Sequence, residues 1–490
     1  MTSLTVPSWL TPREYQSEAV RTWESSQGQG ILNMATGTGK TITALIAATD
    51  LYTLQDDRLA LIVAAPYTHL VDQWTADLEE FGATPFRAYG SRSGWTSDIT
   101  GAVTEFTSGA RDLLTIVTTH KTFATKHFQR ILTRVDGTET MLIADEVHHM
   151  GAPHLRQFLP TDVRARLGLS ATPERWYDDE GTDALLSYFS NGIVYDYGLA
   201  EAIANGYLSE YYYIPHIIEL TDDEAESYLA LSKAIGRILA DNDGGGQTGG
   251  SIDITDDEEL QQLLIRRSRL VGTARNKIQT LESLIREVGS ESIHHSLIYC
   301  GDGRVEIDAD SDIAETTNDD ETELKRQLRI VTELLGTDLG VRAHQFTYEE
   351  DQKTRERLLT DFEDGSLQAL IAIRCLDEGV DVPATQTAFM LASSSNPRQF
   401  VQRRGRILRP HENKRHSIIH DFIVTPPAAI SENSDTDTFS IERQLLKSEL
   451  QRVATFTQNA KNHPDANLSN IPTTEGSLRT LKNNFNLMDM

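Results

Sequence analysis

The chain has 490 residues, enough for two to four domains with ample core. Acidic residues outnumber basic ones by 73 to 45, a formal charge of −28. Any grip on nucleic acid therefore depends on local basic grooves rather than on the surface as a whole. No run approaches eighteen apolar residues and the N-terminus lacks a charged-then-apolar pattern, so no membrane partner is expected and the reading is cytoplasmic. The 2 cysteines, Cys300 and Cys375, offer no metal spacing and read as buried thiols.

In chain order, residues 1–200 alternate apolar runs with helical patterns. Strands are predicted at 30–34, 59–65, 113–118, 140–144 and 166–170. That alternation predicts βαβ units and a parallel sheet flanked by helices. Residues 201–290 read as a helical linker or insert with a flexible Gly-rich loop, Asp241 to Gly250. A second alternating block, 291–425, places strands at 296–300, 341–346, 368–373, 386–391 and 416–424, with an acidic surface loop at 302–322. After Pro426-Pro427, residues 426–490 form an acidic linker and a C-terminal helix. Its stripe Ile441, Leu445, Leu446, Leu450, Val453, Phe456 is expected to pack on the body.

Two segments carry chemistry. Residues 33–41, Asn-Met-Ala-Thr-Gly-Thr-Gly-Lys-Thr, lie between the first strand and an apolar helix. Small residues Thr36, Gly37, Thr38 and Gly39 let backbone N–H groups close around phosphates. Lys40 neutralises the terminal oxygens, and the Thr41 hydroxyl can ligate Mg²⁺. Met34 stands where such loops usually begin with glycine. Residues 141–149, Met-Leu-Ile-Ala-Asp-Glu-Val-His-His, end an apolar strand in two carboxylates. Asp145 can hold Mg²⁺ through water and Glu146 can polarise the attacking water, so ATP with Mg²⁺ is the expected cofactor set.

Asp-Glu-Val-His is a DEAD/DEAH-type box, and the order of the remaining motifs resembles a superfamily 2 helicase. That resemblance implies an α/β fold of two tandem RecA-like domains, parallel sheets flanked by helices. In its terms, Leu10-Thr11-Pro12-Arg13-Glu14-Tyr15-Gln16 is similar to the adenine-reading segment, with Gln16 on the base edge and Tyr15 or Arg13 packed nearby. Ala65-Pro66-Tyr67-Thr68-His69-Leu70, with Gln73-Trp74, and Thr118-Thr119-His120 resemble strand-grasping motifs, which implies nucleic-acid contacts near Thr68, Thr119 and Gly379. Ser170-Ala171-Thr172 matches the motif linking ATP state to that grip. Cys375–Pro383, containing Gly379 and Asp381, resembles motif V, and Gln402–Arg409 resembles motif VI, with Arg406 and Arg409 as arginine fingers and Gln402 beside them. A basic nucleic-acid helix is the competing reading of those arginines.

Met34–Thr41, Ser170–Arg175 and Gln402–Arg409 are similar to the xeroderma-pigmentosum-B-type and type III restriction helicase-subunit group, and the run 376–400 resembles restriction- or phosphorothioation-linked defence helicases. The expected activity is an ATP-dependent DNA helicase or translocase, with RNA the lesser candidate; the alternative is a nucleotide-gated DNA clamp without processive movement. No nuclease signature follows the second block, so cutting would belong to a nuclease or DNA-modification partner. Arg266, Arg267, Arg269, Arg275 and Lys277 form a basic helical cluster weighed equally as a solvated face and as a nucleic-acid contact. Only 11 of the 45 basic residues are lysine, which with the acidic surface resembles haloarchaeal proteins.

Overall fold

The computed structural model describes residues 3–175, 178–243, 258–301, 327–347, 350–373, 382–392, 397–425, 427, 446 and 449–463. It divides into two compact units between Tyr207 and Leu208. The first holds a seven-stranded sheet: β1 (Gln29–Met34), β2 (Leu59–Ala65), β3 (Phe86–Ala88), β4 (Leu113–Thr119), β5 (Thr140–Ala144), β6 (Ala165–Ser170) and β7 (Ile193–Tyr197). Their order is β3-β4-β2-β5-β6-β1-β7, every pair parallel. β2, β4 and β5 are buried along their whole length, which is why they read as continuous apolar runs rather than alternating ones. The register pairs Ala64 with Ala144 and Ala65 with Thr119, and Asn33 with Ser170. The strand ends that precede the glycine loop, Pro66, His120, Asp145 and Ala171 thus share one carboxyl edge, where parallel sheets bind ligands.

The second unit has β8 (Tyr211–Ile218), β9 (Ser296–Tyr299), β10 (Ala343–Phe346), β11 (Ala369–Ala372), β12 (Thr387–Met390) and β13 (Ser417–Val424), in the parallel order β10-β11-β9-β12-β13-β8. The predicted strands fall within two residues of the observed ones, and those at 59–65 and 140–144 coincide with β2 and β5. Three strands were not anticipated. β3 is only three residues long, and β7 and β8 are edge strands without clean alternation; Pro215 is tolerated in β8 because an edge strand needs fewer ladder donors.

The boundaries at 200/201 and 290/291 are redrawn. The first unit runs through Tyr207, and the stretch expected as a separate insert supplies β8 to the second sheet. It also supplies the helices Asp222–Asp243, Glu258–Gly272 and Arg275–Val288 to that unit. The basic cluster comes apart as well. Arg267 and Lys277 are buried, and Lys277 Nζ donates to the Leu391 carbonyl at 2.5 Å. Arg275 is committed to Asp223 and Glu224. Helical spacing put these residues on one list, but tertiary packing turned two of them inward.

The C-terminal helix does pack on the body. Leu446, Leu450, Val453 and Phe456 are buried, while Ile441 and Leu445 lie outside the described residues. Asn462 then completes the free edge of β8: its side chain accepts from the Tyr213 N–H at 3.0 Å and donates to the Tyr213 carbonyl at 2.7 Å. Cys300 is a buried thiol; Asp241–Asp243, expected in the Gly-rich loop, instead end the helix Asp222–Asp243, while Cys375, the rest of that loop, the acidic loop and residues 375–381, with Gly379 and Asp381, lie outside the described residues. Among the described residues no helix is long and apolar enough to cross a membrane.

Candidate nucleotide site

β1 ends at Met34 and helix α2 (Lys40–Leu54) begins six residues later; α1 (Glu14–Ser25) precedes β1. The loop turns through two left-handed glycines, Gly37 (φ 89°) and Gly39 (φ 82°). Such a turn brings successive N–H groups toward one point, as an anion nest requires. Thr38 is fully buried and donates its hydroxyl to the Ala35 carbonyl at 2.7 Å. Lys40 Nζ donates to the Met34 carbonyl at 3.2 Å, and Thr43 Oγ1 to the Gly39 carbonyl at 3.0 Å. The Thr36 hydroxyl is buried without a hydrogen-bond partner among the described residues. Thr41, the second residue of α2, is half-buried at the cradle.

Asp145 and Glu146 follow β5 directly. Asp145 is buried; its Oδ2 accepts from Trp74 Nε1 at 2.8 Å and its Oδ1 from the Glu146 N–H at 2.9 Å. Burial first, and the neighbouring Glu146 charge second, push the Asp145 carboxyl up to about 6, against the opposing pull of Trp74 and Lys40. Glu146 adopts φ 43°, ψ 54°, and its Oε2 is buried with no hydrogen bond among the described residues. A buried and a half-buried carboxylate facing a lysine, with an unsatisfied oxygen, fit a divalent cation and a polyphosphate. Thr41 and Asp145 are the groups that would hold Mg²⁺, which when bound supplies charge neutralisation to the phosphates.

Ser170, Ala171 and Thr172, the residues expected to couple ATP state to the grip, lie next to this pair. Ser170 is buried, 3.1 Å from His148 Nδ1, and its hydroxyl accepts from the Thr172 N–H at 3.1 Å; Ala171 and Thr172 are half-buried. His148 Nδ1 also lies 3.6 Å from Glu146 Oε2, so one imidazole touches both the carboxylate and the Ser170 motif. Arg175 holds the His148 carbonyl at 2.5 Å and Asp178 at 2.6 Å. Of the expected nucleic-acid contacts, Thr68 is exposed at the start of helix α3 (Thr68–Glu80). Thr119 is buried and spends its oxygen capping the Thr122 N–H at 3.2 Å, which makes it a poor phosphate contact in this arrangement.

The adenine-reading segment departs from expectation in one respect. Gln16 accepts from the Arg13 N–H at 3.0 Å and points Nε2 at the Gly39 carbonyl, 3.4 Å away. Tyr15 is buried, its ring stacked on Tyr197 at 4.1 Å, so its face is not offered to a base. Arg13 is the exposed group there, its guanidinium 4.7 Å from the Tyr207 ring centre.

In the second unit, the helix Pro397–Ile407 carries Gln402 and Arg406, both half-buried, and Arg409 follows it. Arg403 and Arg404 point inward: Arg403 donates to the Ala392 carbonyl at 3.1 Å and Arg404 to the Thr455 carbonyl at 2.8 Å. Lys414 Nζ caps the helix by donating to the Ile407 and Arg409 carbonyls. Burial brings that ammonium down to about 7 and pulls the Arg409 guanidinium below its usual range. Trp74, Arg175, Tyr197 and Lys414 are the site residues that motif spacing did not single out for these roles. Trp74 and Tyr197 meet their partners Asp145 and Tyr15 far along the chain, so no local signal exposes them.

Comparison with known proteins follows the same division. Residues 10–175 match the family model described as the type III restriction enzyme res subunit, and residues 313–411 match the helicase conserved C-terminal domain. The chain is 27% identical over 411 residues to the DNA 3'-5' translocase XPB2 of Sulfurisphaera tokodaii, covering 82% of this chain and 79% of that protein. It is 24% identical to the DNA 3'-5' helicase XPB of Kineococcus radiotolerans, covering 81% of this chain and 57% of that one. Two further curated relatives are spanned over 64% and 52% of their length. The fold is shared with the type ISP restriction-modification enzyme LlaBIII, at TM-score 0.56 and 16% identity over 90% of this chain and 30% of that one. The Pyrococcus furiosus Hef helicase domain shares it at TM-score 0.50 and 15% identity, over 84% and 95%. With the phosphate cradle and carboxylate pair in their expected order, the chain belongs to the superfamily 2 helicases, an ATP-hydrolysing family, in its XPB- and restriction-type branch.

Proposed function

We propose that the chain is an ATP-driven motor on DNA, with RNA the lesser substrate. The observation that carries this reading is the Asp145–Glu146 pair, a buried and a half-buried carboxylate beside Lys40 at the carboxyl edge of the first sheet, in a chain similar to a DNA translocase over most of its length. Lys40 and the amides of Gly37, Thr38 and Gly39 would bind the phosphates, with Thr36 and Gln16 on the loop's flanks. Glu146 would orient the attacking water and take its proton. Arg406 and Arg409 would supply guanidinium charge to the γ-phosphate, with Gln402 and Asp381 assisting. Thr68 and Gly379 would touch the nucleic-acid backbone, and Ser170–Thr172 would relay the state of Glu146 through His148. A partner nuclease or DNA-modification protein would supply any cutting, and the working medium would be the high-salt cytoplasm.

ATP turnover with single-stranded DNA, duplex DNA and RNA, in dilute buffer and in molar KCl, tests the reading. DNA should stimulate turnover more than RNA does; no stimulation by any of them at any salt would overturn the motor. Triplex displacement then separates movement along DNA from static clamping.

A further inference from the structure

We infer that Tyr15 is a positioning residue that locks one peptide plane of the phosphate cradle, and that Tyr197 at the end of β7 holds Tyr15 in place. The inference builds on the ATP-site reading of residues 35–41. The Tyr15 hydroxyl donates to the Thr38 carbonyl at 2.5 Å while accepting from Arg13 Nη1 at 3.0 Å. Burial raises this phenol above its usual range, so it stays a donor at any working pH.

A trans peptide is planar, and its C=O and the following N–H point in opposite directions. Drawing the Thr38 oxygen toward Tyr15 therefore aims the Gly39 N–H to the other side of the loop, away from α1. That is the direction in which a donor serves a bound phosphate. Gly39 is also the residue best able to let the plane turn over, since it has no Cβ to fix its φ. A turned plane would present the Thr38 oxygen to the phosphates in place of an N–H. Gln16, next in sequence, leans on the Gly39 carbonyl at 3.4 Å, so adjacent residues of α1 address adjacent carbonyls of the loop.

Tyr15 is itself held by the far end of the same unit. Its ring lies 4.1 Å from that of Tyr197 at an interplanar angle of 5°, and meets Tyr207 edge-on at 4.8 Å. Asn205 Nδ2 fixes the Tyr197 hydroxyl at 3.0 Å. The Tyr197 carbonyl meanwhile accepts from the Ala35 N–H at 3.0 Å. The segment 193–207 thus touches the cradle twice, through backbone at Ala35 and through Tyr15 at Thr38.

Steady-state ATPase and fluorescent-ADP binding by the full chain, with melting temperatures alongside, test this in Tyr15→Phe, Tyr197→Phe, Tyr197→Leu and Lys40→Ala. Tyr15→Phe keeps the ring stack and loses the lock. Its KM for ATP and Kd for ADP should rise about tenfold while kcat changes less than about threefold, the pattern of lost uniform binding. Its melting temperature should hold. Tyr197→Phe, which keeps the stacked ring and loses the Asn205 contact, should shift KM and Kd less than Tyr15→Phe does, and Tyr197→Leu should resemble Tyr15→Phe. Parental KM and Kd in Tyr15→Phe would overturn the lock, as would a KM rise that tracks a fall in melting temperature. Unchanged turnover in Lys40→Ala would instead overturn the ATP-site reading itself.

Discussion

Glu146 is held at φ 43°, a left-handed backbone that side chains other than glycine and asparagine adopt at a cost of roughly 1–2 kcal/mol. The same residue crowds its charge against Asp145, adding to the burial that is the main cause of that neighbour's raised carboxyl pKa. Both effects oppose folding and both serve an acid–base group poised beside a polyphosphate. Glu146→Asn should therefore stabilise the fold by about 1 kcal/mol while lowering ATP turnover at least about a hundredfold. Urea midpoints together with ATPase rates check this, and a destabilised variant would sink the strain reading. Gly39→Ala should act in the opposite sense, since a Cβ there meets Gln16 Nε2 at 2.9 Å in a φ of 82°. It should lose stability and raise the KM for ATP together. At this scale Lys40, Asp145 and Glu146 were legible because their chemistry is written in consecutive residues. Trp74, 71 residues from Asp145, was not, because nothing in its own neighbourhood specifies an indole N–H aimed at a carboxylate.

Among the elements, the central strands of both sheets were readable and the edges were not. β2 is buried at all seven positions, whereas β7 is exposed or half-buried at four of its five. An edge strand satisfies only one ladder and one face, so its sequence carries half the constraint. The C-terminal helix was legible as an apolar stripe, but its anchor was not. Arg452 is 2% exposed and pairs at 3.1 Å with Asp421, itself fully buried on β13 and hydrogen-bonded by the Tyr213 hydroxyl. Arg452→Met should cost about 3–5 kcal/mol in a urea melt, because it strands a buried carboxylate, and adding Asp421→Asn should recover part of that loss. On the same strand His420 donates to or accepts from His216 at 2.9 Å and stacks on Phe389. Burial, then the neighbouring His216, lowers the His420 pKa to about 3. Below pH 6.5 the unfolded chain takes up a proton that the folded one refuses, so stability falls as pH drops from about 6.5 toward 3. Between pH 7.5 and 5 this imidazole should account for about 2 kcal/mol, read as the smaller loss that His420→Gln shows over the same interval. An equal loss in both chains would refute it.

For the whole molecule the governing quantity is the charge of −28. The surface has some compensating ion pairs, such as Arg58 with Glu139 at 2.8 Å, but exposed pairs each contribute about 0–1 kcal/mol and weaken with salt. Repulsion among the excess carboxylates acts over longer distances, and it is the term that salt removes most effectively. The screening length shrinks from about 30 Å at 0.01 M to about 3 Å at 1 M. Net stability should therefore rise with KCl into the molar range. The same charge shapes the grip on DNA. Each phosphate contact releases counterions, so affinity should fall with salt by a slope of about 0.7–0.9 per contact in logarithmic terms. Salt also screens the repulsion between an acidic protein and a polyanion, which has the opposite sign. The two terms offset each other, so binding of a labelled single strand should change with KCl far more gently than its phosphate contacts alone dictate. Melting temperature and fluorescence anisotropy measured from 0.1 M to about 2 M KCl follow both effects. A melting temperature that is flat or falls across that range would remove the electrostatic account. A steep loss of DNA binding beside rising stability would instead place the contacts in a basic groove shielded from the acidic surface.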